Sequence, residues 1–306
     1  MKRRDFLKTA AVTGIAGALN ITGLNKAEAN TTAKTDLVAV MNGTPEQLFE
    51  RAITEMGGMG KFIKPGWKVV IKPNIGWDRS PELAANTNPD LVAAVIKSCL
   101  KAGAKEVIVF DHTCDDWKLS YKNSGIEDAV KKAGGKIAFA HEEKYYKDVA
   151  LPKGKKLKSV KIHEEIVNCD AWINMPILKT HGGAKMTISM KNYMGIVWDR
   201  RFFHSNDLQQ CIADCCSYDK KPVLNIVDAY RVLKSNGPKG RSVSDVADAK
   251  ALFMSQDIVA VDTAAVNFFN QITPMTLDEV AHLSKGEELS LGSMNLNGLN
   301  IKRIRL

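Results

Sequence analysis

The stretch WKVVIKPNIGWDRSPELAANTNPDLVAAVIKSCLKAGAKEVIVFD, Trp67 to Asp111, decides the fold. It opens on an apolar run bounded by Pro73-Asn74, which reads as a buried strand over Trp67–Lys72. Asn88 is a helix N-cap, with Pro89 at the first helical position and Asp90 close to the helix's positive end. That helix runs to Ala102 and stops at Gly103. Val107–Phe110 is the next strand, closing in Asp111. Strand, helix and strand in this order form a βαβ unit, whose strands lie parallel with a right-handed crossover.

The alternation continues on both sides. Strands are expected at Leu37–Met41, Ile137–Ala140, Ala171–Met175, Val223–Val227 and Ala251–Met254. Helices are expected at Pro45–Met56, Gly125–Ala133, Asp207–Ser217 and Ile258–Phe269. The fold class is therefore α/β, a largely parallel sheet flanked by helices in Rossmann-like layers. Two segments break the rhythm. Tyr145 to Lys161 is polar and lysine-rich, and reads as a small excursion. Met194 to Ser205 holds Trp198, Arg200, Arg201, Phe202, Phe203 and His204, and reads as a lid, an interface or an ordinary loop.

Polar side chains gather where the strands finish: Lys72 and Asn74, Asp111 and His112, Lys179 and His181, and Asp228. Open parallel sheets bind ligands outside the carboxyl ends of their strands, so these groups are expected to share one cleft. Lys72, Lys179 and Lys191 supply cations, and Asn74, Asn192 and His181 supply hydrogen-bond donors beside Gly182-Gly183. Such a set suits a small anion: a carboxylate, a phosphate or an enolate-like intermediate. Lys179, His181 and Asp111 are the catalytic candidates, and a desolvated lysine among them would be a nucleophilic amine. Lys72, Asn74, Lys191, Asn192 and Asp228 are the ligand-binding candidates. Asp257 and Asp262 are further carboxylates; the first reads as a helix N-cap, and the second lies on another face of that helix.

Asp111-His112-Thr113-Cys114-Asp115-Asp116 is dense in potential ligands, and the metal candidates are His112, Cys114 and His181. Their spacing matches no standard zinc pattern. The six cysteines are Cys99, Cys114, Cys169, Cys211, Cys215 and Cys216. Cys211 and Cys215 share an apolar helix face with Leu208 and Ile212, which reads first as core, with disulfides or cluster ligation as alternatives. Gly57-Gly58-Met59-Gly60-Lys61 fails as a phosphate loop, because Glu55 stands at the first glycine position and Phe62 at the Ser/Thr position. No G-x-G-x-x-G follows a strand, and no G-x-S-x-G elbow is present.

The motif order resembles the family catalogued as domain of unknown function 362, from about Trp67 to Phe269. The matching pieces are Val69-Val70-Ile71-Lys72-Pro73-Asn74, Thr87-Asn88-Pro89-Asp90, Ala102-Gly103-Ala104, and Ile173-Asn174-Met175-Pro176-Ile177-Leu178-Lys179-Thr180-His181. Thr187, Lys191-Asn192 with Gly195, Val227-Asp228, Asn236-Gly237-Pro238, Ser255-Gln256-Asp257 and Val261-Asp262 complete them. Many members of that family look like iron–sulfur proteins with an added ferredoxin-like cysteine segment. This chain has no C-x₂-C-x₂-C-x₃-C run, so the resemblance carries no electron-transfer role with it.

The N-terminus reads as an address. Met1-Lys2-Arg3-Arg4-Asp5-Phe6-Leu7-Lys8 is a twin-arginine export signal, followed by a mildly apolar stretch and the small-x-small site Ala27-Glu28-Ala29. Cleavage after Ala29 would leave residues 30–306, expected to be one α/β domain in the periplasm or another extracytoplasmic space, with no transmembrane anchor. The net charge is +9; five basic against two acidic residues in the leader leave the mature chain near +6. Lysines crowd residues 144–161, as a solvated face or a patch for an acidic partner. Nucleic acid is not an expected partner. Three readings follow: an exported enzyme for a small anionic substrate, a metal or iron–sulfur redox protein with a redox partner, or a non-catalytic ligand-binding protein.

Overall fold

A computed structural model describes residues 34–306, and the stretch read as a twin-arginine leader lies outside the described residues. Thr35–Leu306 form one compact unit. Its strands are β1 (Leu37–Met41), β2 (Lys68–Pro73), β3 (Glu106–Val109), β4 (Lys136–Ile137), β5 (Tyr146–Ala150) and β6 (Ser159–His163). They continue with β7 (Ala171–Met175), β8 (Ile177–His181), β9 (Lys185–Thr187), β10 (Leu224–Leu233), β11 (Val246–Ser255) and β12 (Ile301–Arg305).

The main sheet runs β12-β1-β11-β10-β7-β2-β3-β4, with β8 also pairing β10 and β9 pairing β8. From β10 through β7, β2, β3 and β4 every pairing is parallel. β11 enters antiparallel between β10 and β1, and β12 lies parallel on the far side of β1. The α/β expectation thus holds, with a mixed edge.

Side-chain alternation explains the layers. Val69 and Ile71 of β2 feed one apolar core, and Val70 between them feeds the other. The first core is closed by helices Pro45–Glu55 and Pro89–Lys101, through Leu48, Phe49, Leu91 and Val95. The second is closed by helices Leu208–Cys215 and Ile258–Ile272, through Cys211, Cys215, Val266 and Phe269. Thr44 opens the first helix with a capping box to Gln47, and Asn88 caps the second by accepting the Asp90 N–H at 2.9 Å.

The lysine-rich excursion is an antiparallel hairpin of β5 and β6. Its lysines face glutamates: Lys144–Glu142 at 2.8 Å, Lys147–Glu164 at 3.5 Å and Lys161–Glu143 at 2.5 Å. Such exposed pairs contribute little stability but balance the local charge. The expected strand at Ile137–Ala140 shrinks to Lys136–Ile137, and Met194–Ser205 carries a short helix at Arg201–Ser205. No helix of the described residues is long and apolar enough to cross a membrane.

All six cysteines are free, and five are buried; only Cys114 is exposed. Burial pushes Cys99 and Cys215 up to about 12, so these thiols stay protonated and behave as small apolar side chains.

Candidate functional site

β2 ends at Pro73 because Thr87 takes over the next backbone group. The Thr87 hydroxyl accepts the Asn74 N–H at 2.8 Å and donates to the Met175 carbonyl at 2.8 Å. This turn delivers Lys72 and Asn74 to the carboxyl edge of the sheet. Lys72 lies in register with Asn174 of β7.

The Lys72 ammonium sits 2.9 Å from Asp111 Oδ1 and donates to Asn192 Oδ1 at 2.6 Å. Both members of the ion pair are almost wholly buried, at 1% and 2% side-chain exposure, which decides that this contact is structural. Burial lowers the Lys72 pKa, and the Asp111 carboxylate opposes that shift. The second Asp111 oxygen accepts the Ile75 N–H at 2.7 Å. With both oxygens engaged, Asp111 positions Lys72 instead of standing free as a base. Gly195 passes directly over the pair. A Cβ at Gly195 would overlap both Asp111 Oδ1 and Lys72 Nζ, so only glycine fits there. Its carbonyl accepts the His112 N–H at 3.0 Å.

Asn192 is the hub of an amide chain. Its Nδ2 donates to the Lys72 carbonyl at 3.2 Å and to Asn174 Oδ1 at 2.8 Å, while its Oδ1 also accepts from Asn74 Nδ2 at 3.2 Å. Asn174 Nδ2 donates in turn to Asn225 Oδ1 at 3.0 Å. Asp262 holds the short helix that carries Asn192, accepting the Ser189 and Met190 N–H groups at 2.8 Å each. Burial pushes the Asp262 carboxyl up to about 7. Asp257 caps helix Ile258–Ile272, accepting the Ala260 N–H at 2.8 Å.

Lys179 comes from β8. Its ammonium donates to Asn74 Oδ1 at 3.0 Å and to the Ala85 carbonyl, and lies 6.0 Å from the centre of the Trp77 ring. No carboxylate pairs with it among the described residues. Burial pushes its pKa down to about 7. His181, at the end of the same strand, is pushed down to about 3 by burial, with Lys191 and Lys179 adding repulsion. Lys191 is pushed down to about 8, first by burial and then by nearby Arg200 and Lys72, against a pull from Cys114. It is only half-buried, so water in the cleft moderates that shift. Its ammonium has no hydrogen bond or ion pair among the described residues.

These groups line one cleft, partly open to solvent. Lys72, Asn74, Asp111, His112, Cys114, Lys179, His181, Lys191 and Asn192 all border it. Four cationic side chains, counting Arg200, face a single carboxylate there. Residues 69–267 match the family described as a domain of unknown function, DUF362. The chain belongs to that family. The DUF362 chain is similar to a thylakoid-associated protein of Synechocystis sp., with 26% identity over 234 residues, spanning 74% of this chain and 70% of the relative. It shares its architecture with the lactate racemase apoprotein of Thermoanaerobacterium thermosaccharolyticum, at a TM-score of 0.50 and 12% identity. That match covers 78% of this chain but only 58% of the racemase, and at such identity it concerns the fold alone.

Asp228 stands apart from the expected set. β10 does not end there but runs on to Leu233, and Asp228 is buried within it. It accepts the Asn88 N–H at 2.7 Å and the Tyr230 N–H at 3.0 Å, tying the start of helix Pro89–Lys101 to the sheet. It is not among the residues bordering the cleft of the DUF362 chain. Burial pushes it up to about 6.

Arg200 is the main site residue that strand-end reasoning leaves out. Its guanidinium donates to the His112 carbonyl at 2.8 Å, the Thr113 carbonyl at 2.7 Å and Cys114 Sγ at 3.4 Å, clamping the loop after β3. Trp77, Thr187 and Met194 also border the cleft. Among the described residues no group of three or more His, Cys, Asp and Glu is placed to hold a metal ion. His112, Cys114 and His181 share the cleft without forming such a group.

Proposed function

We propose that this DUF362 chain is an enzyme acting on a small anion, a carboxylate or a phosphate, bound in the cleft. The observation that carries the reading is the Lys191 ammonium. It faces the cleft with no partner among the described residues, beside Lys179 and Arg200, which have no carboxylate of their own. Unpaired cations at a concave, half-desolvated site favour an anion strongly, because each charged hydrogen bond contributes ~1.5–3 kcal/mol. Lys72, Asn74 and Asn192 form the floor, and Lys179 and His181 stand closest to the role of reacting groups. Lactate and inorganic phosphate are the first probes, one for each class of anion.

The binding should depend on pH with a definite sign. Lys179 and Lys191 titrate near 7 and 8, below the ordinary lysine value, so their ammonium charge is present at lower pH and lost as pH rises through that window. The other groups facing them are Lys72, Arg200 and Asp111, with His112 and His181 titrating near 4 and 3. Titration calorimetry with lactate, whose own charge is constant over this range, is expected to show affinity falling by on the order of tenfold or more between pH 6 and pH 9. Equal affinity at both ends, or no binding of either probe, would overturn the reading.

The second part of the proposal is export. The twin-arginine leader and the Ala27-Glu28-Ala29 site support processing before residue 30 and work outside the cytoplasm. Replacing Arg3 and Arg4 together with lysine is expected to keep the chain at full length in the cytoplasm, as read by fractionation and intact mass. A double variant that is still exported and trimmed would remove this part.

A further inference from the structure

The two cleft histidines are fixed in opposite tautomers by the backbone. His112 Nδ1 lies 2.9 Å from the Val197 carbonyl oxygen. A carbonyl only accepts, so Nδ1 carries the hydrogen and Nε2 keeps its lone pair. His181 Nδ1 accepts the Ala184 N–H at 3.2 Å. In the neutral ring its hydrogen is therefore on Nε2. Neither Nε2 has a protein partner among the described residues, and both residues border the same cleft. His112 is further held by stacking on Trp198, with ring centres 5.0 Å apart and planes 3° from parallel.

Both rings are kept neutral by burial and by like charge. Arg200, His163 and Lys72 face His112; Lys191, Lys179, His204 and His282 face His181. Both rings border one cleft, His112 with a lone pair on Nε2 and His181 with an N–H there, beside the cations Lys72, Lys179, Lys191 and Arg200.

We propose that His112 Nε2 is the proton acceptor of this cleft and His181 Nε2–H the hydrogen-bond donor to the oxyanion that develops. The inference rests on the anion reading above and narrows its substrate to a small anion with a C–H beside a carbonyl or carboxylate. In the step, the substrate C–H bond breaks and an N–H bond forms on His112. The electron pair stays on the substrate as an enolate-like oxyanion, which His181 and the ammonium groups stabilise. Return of the same proton, or of one from solvent, closes the cycle without oxidant or reductant. A neutral imidazole is a suitable donor because it stabilises the oxyanion without fully protonating it.

Two measurements on the mature chain at pH 7 decide the assignment without a ligand. Long-range ¹⁵N–¹H correlation spectra are expected to show His112 as the Nδ1–H form and His181 as the Nε2–H form. Diethyl pyrocarbonate, which needs an accessible imidazole lone pair, is expected to modify His112 at least ~10-fold faster than His181, with sites mapped by mass spectrometry. Both rings in one tautomer, either ring as imidazolium, or equal reactivity would overturn the assignment. Lactate or phosphate binding together with one of those results would sink this inference and leave the anion reading standing. Opposite tautomers with no binding of either probe would remove the reading and the substrate class with it.

Discussion

Replacing Lys72 with methionine is expected to cost about 3–5 kcal/mol of folding stability, enough to unfold a marginal domain. The volume is nearly kept, so packing is not the main term. The charge is. Lys72 is buried against Asp111, and its removal leaves a buried carboxylate with only the Ile75 N–H for compensation. It also takes one donor from Asn192 Oδ1, which keeps Asn74 Nδ2. Urea unfolding of the protein reads the effect directly. The control is the Lys72→Met, Asp111→Asn pair. Removing both charges should recover a good part of the loss, since the penalty lies in the orphaned charge. A single variant within ~0.5 kcal/mol of the parent would show that the pair carries no such weight.

Lys191→Met is expected to do the opposite. The ammonium has no partner among the described residues, and the half-buried side chain borders a cleft partly open to solvent, so stability should stay within ~0.5 kcal/mol of the parent. Affinity for the bound anion should fall by ~10- to 100-fold, the loss of one charge-assisted hydrogen bond. Calorimetry with lactate and with phosphate, beside thermal unfolding of the same samples, separates the two effects. Unchanged affinity would move the anion away from Lys191. Lys72 and Lys191 are the same side chain near one cleft, and the contrast between their variants follows wholly from who already occupies the ammonium.

Much of the sheet is legible in the chain because its central strands are apolar runs closed by Pro or Asp. β2, β3 and β7 are of that kind, and so are the helices opened by Thr44 and Asn88. The strands that escape such reading lack that contrast. β12 is an edge strand with Lys302, Arg303 and Arg305 exposed, and β5 sets exposed Lys147 beside exposed Asp148. β9 is only three residues long. The cleft residues at true strand ends are legible for a topological reason, since parallel strands finish on one side. Asp228 misleads because β10 continues past it through a bulge between Ala229 and Arg231, where the apolar pattern breaks off. Arg200 is invisible from pattern alone. It arrives on an irregular segment, and only its three bonds to the loop after β3 give it a place in the site.

The amide chain from Asn192 through Asn174 to Asn225 has a consequence for how the cleft behaves as conditions change. Each amide brings its own donor and acceptor and carries no ionisable proton. The links beneath the floor therefore keep their bonds whether the medium is acidic or alkaline. Lys179 and Lys191 can gain or shed charge while these amide links keep their bonds; the titrating support is Asp262, which holds the Asn192 helix. The amide links thus persist through a change of pH that alters the charge of the cleft above them.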